Sequence, residues 1–87
     1  MRAQAIRISG EWWLMKLPGD PGCDNNGLCD YENKTIYIRD GLGQLKTVEV
    51  IVHETVHAVS RDLSEECVER IGVAVAGALQ SAGMLAK

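Results

Sequence analysis

No stretch of this chain approaches the ~18 consecutive apolar residues that cross a bilayer as a helix. The first ten residues carry an early arginine, Arg2, but no apolar block of the kind an export signal needs. A soluble, cytoplasmic protein is the expectation. Cationic residues are few and scattered: nine Lys and Arg stand against twelve Asp and Glu, for a formal charge of −3 and an isoelectric point near 5.2. Without a basic patch, neither nucleic acid nor an acidic membrane is expected as the main partner. Cysteine is scarce and odd in number. Cys23, Cys29 and Cys67 therefore read as reduced thiols rather than a disulfide framework. Cys23 and Cys29 would bridge a loop only in an oxidising compartment, and their spacing does not match the CxxC knuckle of structural zinc sites. Cys67 falls in a helical pattern and reads as a packed small hydrophobe. Internal repeats and low-complexity tracts are absent as well.

What is present fits one small domain. At 87 residues and 46% hydrophobic content, the chain is near the size where a single core supplies only a few kcal/mol, so a metal would be a useful staple. Residues 4–8 alternate, with Ile6 and Ile8 on one face and Arg7 on the other, and Ser9-Gly10 supplies a tight turn into a second strand at about 11–17. That strand places Trp12 and Leu14 on one face and Trp13 and Met15 on the other, which predicts cover on both sides. One side is core, and the other a flank against helices or a partner surface. The segment PGDPGCDNNG, residues 18–27, is a break rich in turn formers. A second hairpin is predicted at about 28–31 and 34–39 across Glu32-Asn33, with Ile36 and Ile38 facing one way and Thr35, Tyr37 and Arg39 the other. After the linker Asp40-Gly41-Leu42-Gly43, the sequence turns helical. Leu45, Val48, Val52, Val56 and Val59 recur at helical spacing over about 44–60 and are read as one core stripe. A polar connection leads to a second helix at about 65–82, ended by Gly83, with Val68, Ile71, Val75 and Leu79 as its stripe. Gly72 and Ala76 would allow close approach of a neighbour. The fold class predicted is α+β: two antiparallel hairpins followed by a helical hairpin.

Both histidines of the chain fall in His53-Glu54-Thr55-Val56-His57, an HExxH pattern. Chance would produce it on the order of a few times in a thousand such chains. Valine-rich flanks favour a strand, but a strand would hold residues four apart ~13 Å from each other. On a helix they share one face, so two imidazoles can bind one cation while Glu54 stands beside it, where a bound water would sit. Glu54 is accordingly the candidate general base, and His53 and His57 are candidate zinc ligands.

A catalytic zinc generally takes three protein ligands, and the acids of the second helix are the candidates for the third. At 100° per residue, Glu65 lies roughly 60° from the centre of the apolar stripe, Glu69 about 100°, and Glu66 nearly opposite. Glu65 is best placed to face the histidines. Glu69, one turn on, could accept the second imidazole N–H of a ligand histidine and fix its tautomer. Each has a competing role. Asp62-Leu63-Ser64-Glu65 has the spacing of a capping box, and Glu69 could be a solvated surface acid.

His53-Glu54-Thr55-Val56-His57 followed by Glu65-Glu66-Cys67-Val68-Glu69 resembles the zinc site of gluzincin-type metallopeptidases, where HExxH lies on one helix and Exxx(D/E) on the next. The resemblance is to minimal zincin domains, among them minigluzincins and ImmA/IrrE-type regulatory metallopeptidases, and covers about Val48 to Leu79. It implies a zincin-like fold, Zn²⁺ as cofactor, Glu65 as third ligand and Glu69 behind the ligands. The connection from His57 to Glu65 is shorter than is usual in that group, and nothing before Gly43 matches it. The expected activity is hydrolysis of a peptide or protein substrate by a metal-activated water with Glu54 as base. An edge strand at about 34–39 would bind the extended peptide, and an oxyanion donor would come from among Tyr31, Tyr37 and Arg39. The alternatives are a non-catalytic interaction or regulatory module stapled by zinc, and a zinc-free module.

Overall fold

The computed structural model describes residues 2–22 and 25–85; Cys23, and with it the question of a Cys23–Cys29 bridge, lies outside them. Six elements follow in order: β1 (Arg2–Ile8), β2 (Glu11–Leu17), β3 (Gly27–Asp30), β4 (Thr35–Ile38), α1 (Gln44–Val59) and α2 (Glu65–Ser81). The fold is a small α+β arrangement, and each element stands within a residue or two of its predicted place.

Turn chemistry accounts for both hairpins. Ser9 and Gly10 take φ of 50° and 82°, the positive pair whose twist matches the strands they join, and β1 pairs antiparallel with β2 from Arg2↔Leu17 to Ile8↔Glu11. In the second hairpin the Asp30 carboxylate accepts from the Asn33 backbone N–H at 3.2 Å and from its side-chain amide at 2.9 Å. That closes the turn and sets β3 antiparallel to β4.

The two hairpins then join through a parallel β2–β4 pair, Leu14↔Thr35 to Lys16↔Tyr37, which gives the sheet order β1-β2-β4-β3. The sheet is therefore mixed. This corrects one expectation: β4 is internal, so the strand at 35–38 is not an edge available to a peptide. The edges are β1 and β3. Parallel joining needs a crossover, and the turn-rich segment of residues 18–26 supplies it.

The core lies between one sheet face and α1. Ile8, Trp13, Ile36, Ile38 and Val50 are buried there, with Ile6, Met15, Leu17, Ile51 and Ala58 packed around them. The Trp13 face of β2 is thus the core face. The Trp12 face was expected to be covered too, but neither helix reaches it: Trp12 is 61% exposed, with the Arg7 guanidinium over its ring at 5.0 Å.

Helix α1 is rotated relative to its valine stripe. Its buried residues are Val50 and Glu54, whereas Val59 is 59% exposed and Leu45, Val48, Val52 and Val56 are half-buried. The expected stripe is centred roughly 160–200° from Val50 at 100° per residue. The reason is that α1 lies between a sheet and a second helix, so apolar residues are spread over two flanks and periodicity reports the more populous one. Among the described elements, helix α2 packs on α1 alone. Its buried residues are Val68, Gly72 and Ala76, spaced four apart on one face, while Val75 is exposed. A Cβ on Gly72 would stand 2.9 Å from the Glu49 carbonyl oxygen, so glycine sets how closely the helices approach. Beyond the last turn, Gly83 at φ 77° and Met84 donate their N–H groups to Gln80 and Leu79 carbonyls at 3.0 Å each, the Schellman closure that ends the helix. No helix among the described residues is long and apolar enough to cross a membrane.

Candidate metal centre

Successive turns of α1 place His53 and His57 side by side, their ring centroids 4.9 Å apart. Both rings are largely covered, with side chains 19% and 17% exposed. Helix α2 begins directly opposite. Ser64 is its N-cap, the side-chain oxygen accepting from the Cys67 N–H at 3.1 Å. Because Ser64 rather than Asp62 caps the helix, Glu65 is the first helical residue and is not engaged in a capping box. Its carboxylate reaches across to both histidines instead, Oε1 accepting from His53 Nε2 at 2.5 Å and Oε2 from His57 Nε2 at 3.1 Å. With the α2 contact face centred on Gly72, Glu65 lies roughly 20° from that centre, which is why it and not a neighbour meets the imidazoles.

The donor set suits a zinc ion. Two imidazole nitrogens and one carboxylate oxygen lie within 4.8 Å of one another. Around tetrahedral zinc with ligand bonds of about 2.0–2.2 Å, neighbouring ligand atoms stand roughly 3.4 Å apart. The contacts of 2.5 and 3.1 Å and the limit of 4.8 Å bracket that spacing.

Glu54 occupies the inner wall. It is 7% exposed, and a Cβ on Gly27 would stand 2.9 Å from Glu54 Oε2 and 2.6 Å from Val50 Cγ1. Only glycine lets β3 lie this close to α1. Burial raises the Glu54 carboxyl above its ordinary value; His53 and His57 pull it back, and Glu65 adds to the rise. No hydrogen bond from a described residue engages the Glu54 carboxylate, which lines the cleft together with His53, His57, Glu65, Cys29 and Tyr31.

Of the three residues weighed as oxyanion donors, Tyr31 alone lies at this cleft. Its hydroxyl donates to the His57 carbonyl at 3.0 Å. Its ring is held edge-on to Trp13 at 6.5 Å and beneath the Arg61 guanidinium at 3.9 Å. Tyr37 faces the other side of the sheet under Lys16. Arg39 donates to the carbonyls of Asn25 and Gly22 at 2.7 and 2.6 Å, steadying the segment that leads into β3. Glu69 lies one turn beyond Glu65 on the rim of the groove, and among the described residues no hydrogen bond joins it to either imidazole. Glu66 points elsewhere. Cys29 is a free, half-buried thiol at the cleft; burial, then Glu54, pushes its pKa up to about 11. Cys67 is likewise free and half-buried.

Two of these participants escaped sequence reading. Gly27 was one turn former among several in its segment, and nothing local marked it as the point of contact with Glu54. Cys29 reads from the sequence as a reduced thiol or a bridge partner, with nothing to place it at this cleft, because its neighbourhood depends on the packing of β3 against α1. Against protein-family models, curated proteins and solved structures, the chain has no match.

Proposed function

We propose that this protein is a zinc-dependent peptide hydrolase, with His53, His57 and Glu65 holding the ion and Glu54 as general base. The observation that carries the reading is the convergence of Glu65, from a second helix, on two histidines that flank a buried and unengaged glutamate. Two neighbouring histidines on a helix are a common surface feature. A carboxylate bridging both from another element, next to a buried and unengaged candidate base, is what hydrolytic chemistry asks for.

Zinc bound there would polarise a carbonyl and bring the pKa of a water towards neutrality. The protein's own part is orientation and proton movement. Glu54, held by Gly27 and Val50, accepts a proton at its carboxylate and returns it to the leaving amine. Tyr31 ties the last turn of α1 to the β3–β4 turn through the His57 carbonyl, which keeps that imidazole in register with His53. The free edge of β3, next to Glu54, offers backbone groups to an extended peptide, which would add as a further strand.

The test compares wild type and Glu54→Gln, both loaded with zinc, on a peptide library. Cleavage by wild type only, at equal zinc content, is the expected outcome; equal zinc content with no cleavage by either would leave the reading without support. A second reading has one observation in its favour. Because α1 is the only described element on which α2 packs, an ion shared by His53, His57 and Glu65 would staple the two helices of a non-catalytic module. It predicts zinc-dependent stability without cleavage.

A further inference from the structure

Beside the metal cluster, on the side away from Tyr31, lies a cavity of about 250 Å³ between residues 25–27 and the paired helices. This is large enough for one long side chain. Its walls are Asn25 and Asn26 on one side, Val50 and Val73 as apolar patches, and Glu49 and Glu69 as carboxylates. Its charge is unbalanced. Glu65 is committed to the histidines, and Glu54 is buried at the cavity floor. Glu49 is paired with Lys46 at 3.3 Å, the one lysine on the wall. Glu69 is exposed and makes no ion pair with any described residue. An uncompensated carboxylate at the mouth of an apolar-sided pocket matches a side chain with an aliphatic stem and a cationic head.

The geometry points to this cavity as the specificity subsite of the peptide groove, taking a lysine or arginine side chain of the substrate, with Glu69 as the residue that selects it. The assignment rests on the peptide-hydrolase reading for the location of the scissile bond, but its chemistry is independent of the ion. The stem lies against Val50 and Val73, and the ammonium or guanidinium reaches Glu69, with Glu49 as a second acceptor once the exposed Lys46 pair opens. Such exposed pairs are worth little, so their opening is a small cost. The side-chain amides of Asn25 and Asn26 add neutral acceptors on the opposite wall. Cys29, Tyr31 and Arg61 line or flank the other end of the cleft, so the acidic subsite is on one side of the scissile position only. Specificity is therefore asymmetric along the peptide.

The experiment measures binding rather than turnover. Fluorescein-labelled, end-blocked hexapeptides carrying a single Lys, Arg, Gln, norleucine or Glu at each position in turn are titrated by anisotropy against chelator-treated wild type and zinc-loaded Glu54→Gln. One position should show Lys and Arg peptides binding about three- to tenfold more tightly than Gln or norleucine peptides. Glu69→Gln should remove most of that preference, and Glu69→Lys should turn it towards the Glu peptide. Glu69 is exposed, so these variants keep the fold, which thermal melts would verify. Equal binding of Lys, Gln and norleucine peptides, a preference untouched in Glu69→Gln, or no peptide binding at all would each overturn the subsite. A preference that tracks Glu69, together with no cleavage of the same peptides by zinc-loaded wild type, would sink the hydrolase reading and leave the subsite standing.

Discussion

At the scale of single residues, the centre depends on one carboxylate that bridges and one that does not. Glu65 contacts both imidazoles, so on the proposed zinc reading Glu65→Gln should weaken zinc binding by more than about a hundredfold, beyond what loss of an outer hydrogen-bond partner costs. Glu66→Gln should change it by less than about twofold; competition with a chromophoric chelator reads both, and the reverse order would mean that α2 is rotated in solution. Glu54 makes a pH prediction. Its folded pKa lies above the unfolded value of 4.5, so the folded state keeps a proton that the unfolded state has released. The favourable contribution is thus complete below about pH 4.5 and is lost as pH rises through the folded pKa. Metal-free Glu54→Gln should therefore gain stability relative to wild type as pH rises from about 4.5 to 7 in urea titrations. A constant difference across that range would contradict the burial of an ionisable Glu54. HExxH marked three of these residues in advance, because helical geometry alone determines what lies at i and i+4. Helical angles ranked Glu65 first among the acids. The competing capping role failed because Ser64, one residue earlier, already satisfies the Cys67 N–H.

At the scale of elements, two glycines set the distances on which the centre depends. Gly72 meets the Glu49 carbonyl, so Gly72→Ala has to push α2 from α1, at a cost of about 1–3 kcal/mol as in other overpacked sites. It should lower zinc affinity as well, since Glu65 rides on α2; a variant that lost stability but held zinc as tightly as wild type would show that the centre tolerates a wider helix spacing. Gly27→Ala acts elsewhere, against Val50 and Glu54 rather than between the helices. On the hydrolase reading it should reduce cleavage more than it reduces zinc content, measured on the same preparation. Strand and helix positions were legible because local rules define them: alternation at Ile6/Ile8 and Ile36/Ile38, turns at Ser9-Gly10 and Glu32-Asn33, Gly83 at a helix end. The orientation of α1 was not. Its apolar residues serve two neighbours, and only the placement of the sheet against Val50 decides which flank is inner.

At the scale of the whole molecule, the sheet and α1 form the main core, and among the described elements α2 packs on α1 alone. An ion bridging His53, His57 and Glu65 would therefore act mainly on α2. On the proposed zinc reading, the ion should raise the melting temperature in proportion to the logarithm of its free concentration, by mass action. Amide exchange should slow in α2 and the last turns of α1 more than in β1 and β2. Uniform slowing across the sheet would instead indicate that the molecule opens only as one unit. The same architecture places the β3 edge, not β4, beside Glu54, because the β2–β4 pairing turns β4 into an interior strand. That pairing joins segments about twenty residues apart in the chain, and no local pattern encodes it.

The sequence by itself determined what local geometry can express: four short strands, two helices, the turn residues between them, the pairing of His53 with His57, and Glu65 as the acid most able to meet them. Tertiary structure alone decided the rest. It chose the sheet order, the inner face of α1, the burial that raises the Glu54 pKa, the contact of Gly27 with Glu54, and the acidic cavity beneath Glu69. Each of these depends on distances between residues far apart in the chain. Such distances follow from how elements pack, and packing is settled by the summed fit of several surfaces rather than by any one segment's periodicity.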